Sequence, residues 1–229
     1  LKWKQAVVVE NRTGASGIIA GGVLAKSPND GYVIGLQSVT QPILPALGEQ
    51  LPYDIVKDFT PLARGANISQ ILVVGGSARM ANVRSLEDLV KLAHSRPKQL
   101  TYSSAGAGTT PQLSAEILAS LAKMEVVHVP YKGGAPAVAD VVGGHVDYTL
   151  ANAPEVLSLV SGGKLRPLAV TSAKRLALLP SVPSIAESIP GFNVVQWFGF
   201  FGPADMPRPI VAKINADMVE ALNSADVKA

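Results

Sequence analysis

Residues 100–111 read Leu100-Thr101-Tyr102-Ser103-Ser104-Ala105-Gly106-Ala107-Gly108-Thr109-Thr110-Pro111. An apolar strand runs into a small, neutral loop, and Pro111 then opens a helix at a position where the missing N–H costs little. The pattern recurs in Val7-Val8-Val9 followed by Asn11-Arg12-Thr13-Gly14-Ala15-Ser16-Gly17. It recurs again in Val126-Val127-His128-Val129 followed by Pro130-Tyr131-Lys132-Gly133-Gly134. A helix N-terminus carries unpaired N–H groups and a partial positive charge, so it holds an anion without a charged side chain. Glycine lets the backbone approach that anion closely. Loops rich in hydroxyls (Ser103, Ser104, Thr109, Thr110) and poor in charge suit a carboxylate held reversibly. The alternative is tight turns that merely allow close strand–helix packing.

Working outward, strands are expected at residues 7–9, 32–36, 71–74, 100–103, 126–129, 146–150, 165–170 and 194–201. Helices are expected at 18–25, 86–94, 111–123, 135–142, 155–160 and 210–222. Ser85 is a good N-cap for the second of these, with Glu87 and Asp88 well placed in its first turn. Thr110 is read as the cap of the third, whose Leu113, Ile117, Leu118 and Leu121 form one apolar stripe. Residues 179–191 and 202–209 are proline-dense and read as ordered connectors. Strand alternating with helix predicts an α/β architecture with a mostly parallel sheet. Ligands of such sheets sit outside the carboxyl ends of the strands, where the glycine loops lie.

The 229 residues are 48% hydrophobic and only 16% charged, the composition of a compact globular protein. Net charge is +3, from 20 basic and 17 acidic residues without a Lys/Arg cluster, so no nucleic-acid partner is indicated. The absence of cysteine excludes disulfides, thiolate metal sites and a Cys nucleophile. No apolar run reaches the roughly 18 residues of a membrane span. Residues 1–5 read as the end of a helix leading into a strand.

Catalytic motifs fail one by one. The 105–110 loop lacks the third glycine and the acidic partner of a dinucleotide fingerprint, and the Gly-Lys-Ser/Thr ending of a P-loop. Gly14-Ala15-Ser16-Gly17 meets Ile18 where a nucleophile elbow needs glycine. Ser120-Leu121-Ala122-Lys123 fits Ser-x-x-Lys by chance, at the far end of a helix. His94, His128 and His145 have no metal spacing; His128 reads as a satisfied core or edge histidine, and Asp147 as a structural hydrogen-bonding group. Arg12 and Lys132 read as solvated loop charges, Tyr131 as a wall of the ligand cleft, and Trp197 as core. No acid/base couple lies in a glycine loop. The chain reads as no enzyme, with no metal and no cofactor.

The motifs resemble one family. They are Val8-Val9-Glu10-Asn11-Arg12-x-Gly14-Ala15-x-Gly17, Pro28-Asn29-Asp30-Gly31-Tyr32, His128-Val129-Pro130-Tyr131-Lys132-Gly133 and Gly143-Gly144-x-Val146-Asp147. To these add Gly163-Lys164-Leu165-Arg166-x-Leu168-Ala169-Val170-Thr171-Ser172, Leu179-Pro180-Ser181-Val182-Pro183-Ser184-Ile185-Ala186-Glu187 and Trp197-x-Gly199. In this order and over essentially the whole chain, they resemble the Bug-type substrate-binding proteins of tripartite tricarboxylate transporters.

The resemblance implies a periplasmic, secreted protein with two α/β lobes, a periplasmic-binding-protein (type 2-like) fold that closes on its ligand like a Venus flytrap. Lobe one is expected at residues 1–74 with 199–229, and lobe two at residues 75–198. Such proteins capture small carboxylates (dicarboxylates, tricarboxylates, acidic amino acids or aromatic acids) in the cleft between the lobes. They pass them to membrane permease subunits and need no cofactor. By position, the resemblance assigns ligand binding to Ser104, Ala105, Gly106, Thr109, Thr110, Tyr131, Gly133, Gly134 and Asn152 of lobe two, and to Ser38 and Thr40 of lobe one. The family usually has His where Gln112 stands and Thr where Ser184 stands. Its first strand, loop and helix, and its C-terminal end, are expected to be missing from this sequence. A ligand-sensing module acting on a membrane signalling partner, or an anion-binding transferase, are the alternative readings.

Overall fold

The computed structural model describes residue 3 and residues 5–228. The helix end expected at residues 1–5 lies largely outside the described residues. A 3-10 turn (Ala15–Gly17) precedes α1 (Ile18–Ala25), β1 (Gly35–Ser38), α2 (Thr40–Ala46), β2 (Phe59–Val74), α3 (Leu86–Ser95), β3 (Thr101–Ser104) and α4 (Thr110–Leu121). There follow β4 (Val127–Pro130), α5 (Gly134–Val142), β5 (Tyr148–Asn152), α6 (Ala153–Ser161), β6 (Arg166–Val170), α7 (Ile185–Ser188), β7 (Val195–Pro203), α8 (Arg208–Leu222) and α9 (Ala225–Lys228). The chain forms two compact units, Leu1–Asn67 with Trp197–Ala229, and Ile68–Gln196.

In the second unit β3 pairs in parallel with β4 and with β5. Strands β5 and β6 flank β2, each antiparallel to it. Four strands thus run one way, with β2 reversed between β6 and β5. The sheet is mixed rather than mostly parallel, because the helical crossovers that enforce parallel pairing begin only with β3. Ile71, Leu72, Val73 and Val74 are all buried, which requires cover on both faces. Leu72 and Val74 join Leu89, Leu100, Leu118 and Leu150 in one core, and Ile71 and Val73 join Val138, Val141 and Val156 in the other. Each fully buried aliphatic side chain contributes about 1.5–3 kcal/mol of transfer free energy. Helix α3 buries Leu86, Leu89 and Ala93, the spacing of one helical face. Its capping box has Ser85 Oγ accepting from Asp88 N at 3.1 Å and Asp88 Oδ2 accepting from Ser85 N at 3.1 Å.

In the first unit β1 runs antiparallel to β7, from Gly35↔Phe201 to Ser38↔Phe198, and β7 lies beside β2. Helix α8 lays Ile214 and Met218 onto Leu62 and Met206, while α1 sets Leu24 beside Tyr53 and Phe59. Residues 7–9, expected as a strand, form none. Their side chains are 61%, 81% and 82% exposed. A β-branched run favours extended backbone, but a strand exists only where a neighbour takes up its N–H and C=O groups. Trp197, expected in the core, is half-buried and lines an open groove of about 400 Å³ with Pro61, Ala63, Gly199 and Phe201. Residues 197, 199 and 201 share one face of β7, and Gly199 leaves that face without a side chain at its centre.

Candidate ligand-binding site

The loops after β3, β4 and β5 meet at one end of the second unit's sheet, because these strands run parallel. Tyr131 N donates to Ser104 O at 3.0 Å, and Gly133 N donates to Ala105 O at 3.1 Å, joining the first two loops. Asn152 Nδ2 donates to Glu155 Oε1 at 3.0 Å, and the same carboxylate lies against Gly134, joining the third. Ser104, Ala105, Gly106, Thr109, Thr110, Tyr131, Gly133, Gly134 and Asn152 are therefore brought together. Ser38 and Thr40 belong to the other unit. There Ser38 Oγ accepts from Thr40 N at 3.3 Å at the start of α2, and Thr40 is buried. Gln41, beside them, donates to Ser16 O at 3.2 Å and accepts from Tyr53, tying the 14–17 turn to α2.

Each of the three loops opens directly into a helix: α4, α5 and α6. None of the three carries a side-chain cap hydrogen bond. The unit's other two helices, α3 and α7, both close their N-termini with capping boxes. The three N-termini at the strand ends thus keep first-turn N–H groups that no side chain at the cap position takes up. Thr110, expected as the N-cap of α4, is its first helical residue, and Thr109 precedes it in extended backbone. Thr110 is buried with Oγ1 unpartnered, as is Ser114 one turn later on the same helix face. Two buried hydroxyls without partners are costly unless a further group completes them.

A chain of side-chain bonds sets the shape of the 104–110 loop. Gly108 N donates to Gln112 Oε1 at 2.6 Å, which leaves the Gln112 amide facing His128 Nδ1 at 3.3 Å. His128 Nε2 then lies 2.7 Å from Ser104 Oγ, whose hydroxyl reaches Gly106 O at 3.1 Å. With Nδ1 accepting from the amide, the network assigns the proton to Nε2. Thr109 Oγ1 also donates to Gly106 O, at 2.6 Å. The Ser104 and Thr109 hydroxyls therefore hold the loop. His128 stacks on Tyr102 with centroids 4.8 Å apart, a satisfied and half-buried ring. Tyr131 gives its hydroxyl to Asp140, and burial together with that bond pushes its pKa up to about 12.

Burial holds the His128 pKa below the usual 6.5, against a smaller opposing pull from Glu116. The unfolded chain therefore binds a proton at His128 that the folded chain refuses. Stability from this group is full above about pH 6.5 and falls as pH drops from there through the folded value. NMR titration should place the His128 midpoint below 6.5. A midpoint at or above it contradicts the network.

The chain matches the family model described as "Tripartite tricarboxylate transporter family receptor" over residues 2–228. It belongs to that family. Relatives include the "UPF0065 protein in tcbD-tcbE intergenic region" of Pseudomonas sp. (strain P51), 38% identical over 97% of this chain and 66% of the relative. Protein BugT of Bordetella pertussis is 32% identical over 97% of this chain and 68% of that protein. The chain thus spans about two thirds of the length of these relatives. Among solved family structures, an R. palustris protein with adipate superposes with a TM-score of 0.90 at 35% identity, covering 99% of this chain and 75% of that one. MatC from Rhodopseudomonas palustris with bound malate gives 0.85 at 30% identity, covering 94% and 73%. The fold is that of the family's periplasmic binding proteins, of which BugD is another, with a TM-score of 0.89.

Three residues of the site carried no sequence signal as ligand-site members. Gln112 and His128 are joined only because β4 lies beside β3, and Glu155 reaches Gly134 only because α6 starts beside α5. Ser114 was detectable in principle, as a hydroxyl one turn behind Thr110 on an otherwise apolar helix face.

Proposed function

We propose that this protein is a periplasmic solute receptor that captures a small carboxylate and delivers it to the membrane permease subunits of a tripartite tricarboxylate-type transporter. The observation that carries this reading is the convergence of three helix N-termini without side-chain caps at one sheet end. Such an array takes up negative charge through backbone N–H groups, without a salt bridge to slow release. Ser104 and Thr109 shape the loop, while Thr110 and the backbone of residues 105–106 and 133–134 meet the ligand. Tyr131 and Asn152 border it. Ser38 and Thr40 contribute from the first unit, and the two units act as the receptor's lobes. The adipate and malate in the two R. palustris family structures agree with a carboxylate ligand.

The test is thermal unfolding of the full-length protein against a carboxylate panel. A bound acid at 100 times its Kd should add about 2.7 kcal/mol of stability. If no acid shifts the transition, the reading fails.

A further inference from the structure

Among the residues gathered at the strand ends, one carries a negative charge where the ligand is also expected to be negative. Glu155 is exposed, and its carboxylate lies against the first residue of α5. A Cβ placed on Gly134 would fall 2.5 Å from Glu155 Oε2 and 2.7 Å from Oε1. Only a residue without a side chain lets the carboxylate come so close to the helix start. Glu155 also stands in the first turn of α6, where it accepts from Asn152 Nδ2 at 3.0 Å. The field of two of the three N-termini is therefore already answered by a resident carboxylate.

The third N-terminus is not answered in this way. Helix α4 has no acidic residue in its first turn, and it offers the buried, unpartnered hydroxyls of Thr110 and Ser114. Glu155 and this end of α4 are close neighbours, because Ala105, Pro111, Gly134, Thr149 and Glu155 line one small cavity of about 10 Å³.

Resting on the carboxylate-receptor reading, the geometry points to Glu155 as a specificity-determining residue that divides the site into two unlike ends. The α4 end takes the ligand's carboxylate. The α5–α6 end takes a cation or a hydrogen-bond donor, an amino or hydroxyl group, and disfavours a second carboxylate. Two carboxylates sharing a partly desolvated site repel each other or force one to take a proton. An ammonium or hydroxyl in the same place donates to Glu155 instead.

The test uses three acids of one length: pentanedioate, 4-aminobutanoate and 4-hydroxybutanoate. Their binding to the full-length protein is measured by calorimetry at pH 7.5. The native protein should prefer the amino and hydroxy acids over the diacid by at least about tenfold. Glu155→Gln keeps the size and an acceptor oxygen for Asn152 Nδ2. It should shrink that preference by about tenfold or more, mainly by tightening the diacid. Glu155→Ala, which removes both charge and bulk, should shift the ratio in the same direction. If the acids bind but both variants leave the ratio unchanged, Glu155 does not set specificity. If no carboxylate binds the native protein, the receptor reading itself fails, and this inference with it.

Discussion

Replacing Gly75 by alanine should destabilise the protein by at least about 3 kcal/mol. Gly75 leaves β2 beneath the C-terminal turn of α5. A Cβ there would lie 1.8 Å from Val141 O and 2.6 Å from Val141 C. These are main-chain atoms of a packed helix, so no side chain can rotate away. Gly76 N also donates to Val141 O at 3.3 Å, so relieving the clash strains this bond. Either β2 or α5 must move, and both are built into the core that holds Ile71, Val73 and Val141. For a chain of this size about 3 kcal/mol lowers Tm by roughly 6–12 °C. Gly22→Ala is the control: its Cβ would meet only Pro52 Cγ, at 3.7 Å, inside α1. There the change should be neutral or slightly stabilising. A Gly75→Ala protein melting within about 2 °C of the native one would contradict the packing described.

Asp147→Ala should cost about 3 kcal/mol, because one buried carboxylate joins three segments. It is 1% exposed and immediately precedes β5. Oδ2 accepts from Thr101 N at 2.9 Å and from Thr101 Oγ1 at 3.2 Å, fixing the start of β3. Oδ1 accepts from Ser77 Oγ at 2.9 Å and lies 3.3 Å from Arg79 Nε, fixing the turn that follows β2. Alanine takes the acceptor away from the Thr101 N–H and from the Thr101 and Ser77 hydroxyls, all partly buried. Arg79 is partly solvated and loses less. Asp147→Asn should recover part of the stability, since one oxygen remains an acceptor. Denaturant unfolding of the two variants checks this order. Equal losses would show that one remaining acceptor oxygen recovers nothing and would contradict this order.

Where the sequence and the structure agree, the signal was local. Helix α1 was legible at residues 18–25, since a glycine loop ended at its first residue and a lysine followed its last. Ser85 was legible as a cap because the capping box is written within four residues. The failures were those that depend on a partner. Residues 7–9 have strand composition but no strand beside them. The strand expected at 71–74 is only the end of β2, whose first part carries Pro61, Gly65 and Asn67, residues depleted in strands, and becomes strand by pairing within the first unit. Helix α2 was hidden by Pro42 and Pro45, of which only Pro45 lies beyond the first turn. For the site, the glycine loops and the residues bordering them were marked by their own spacing and motifs. The Gln112–His128–Ser104 chain and the contact of Glu155 with Gly134 exist only once parallel strands and their helices are side by side.

The division of the chain also favours one order of assembly on entropic grounds. Unit two is one contiguous stretch, Ile68–Gln196, whereas unit one is drawn from both chain ends. Closing unit one first would mean joining distant segments across a long floppy loop, at an entropic cost that grows with its length. Once unit two has folded, that cost has already been met. Thr171 then donates its N–H to Gln70 O at 3.0 Å and accepts from Val194 N at 2.9 Å, so a single residue holds the segments by which the chain enters and leaves. What was a remote closure becomes a local one. Folding of the contiguous half thus shortens the closure that the split half needs.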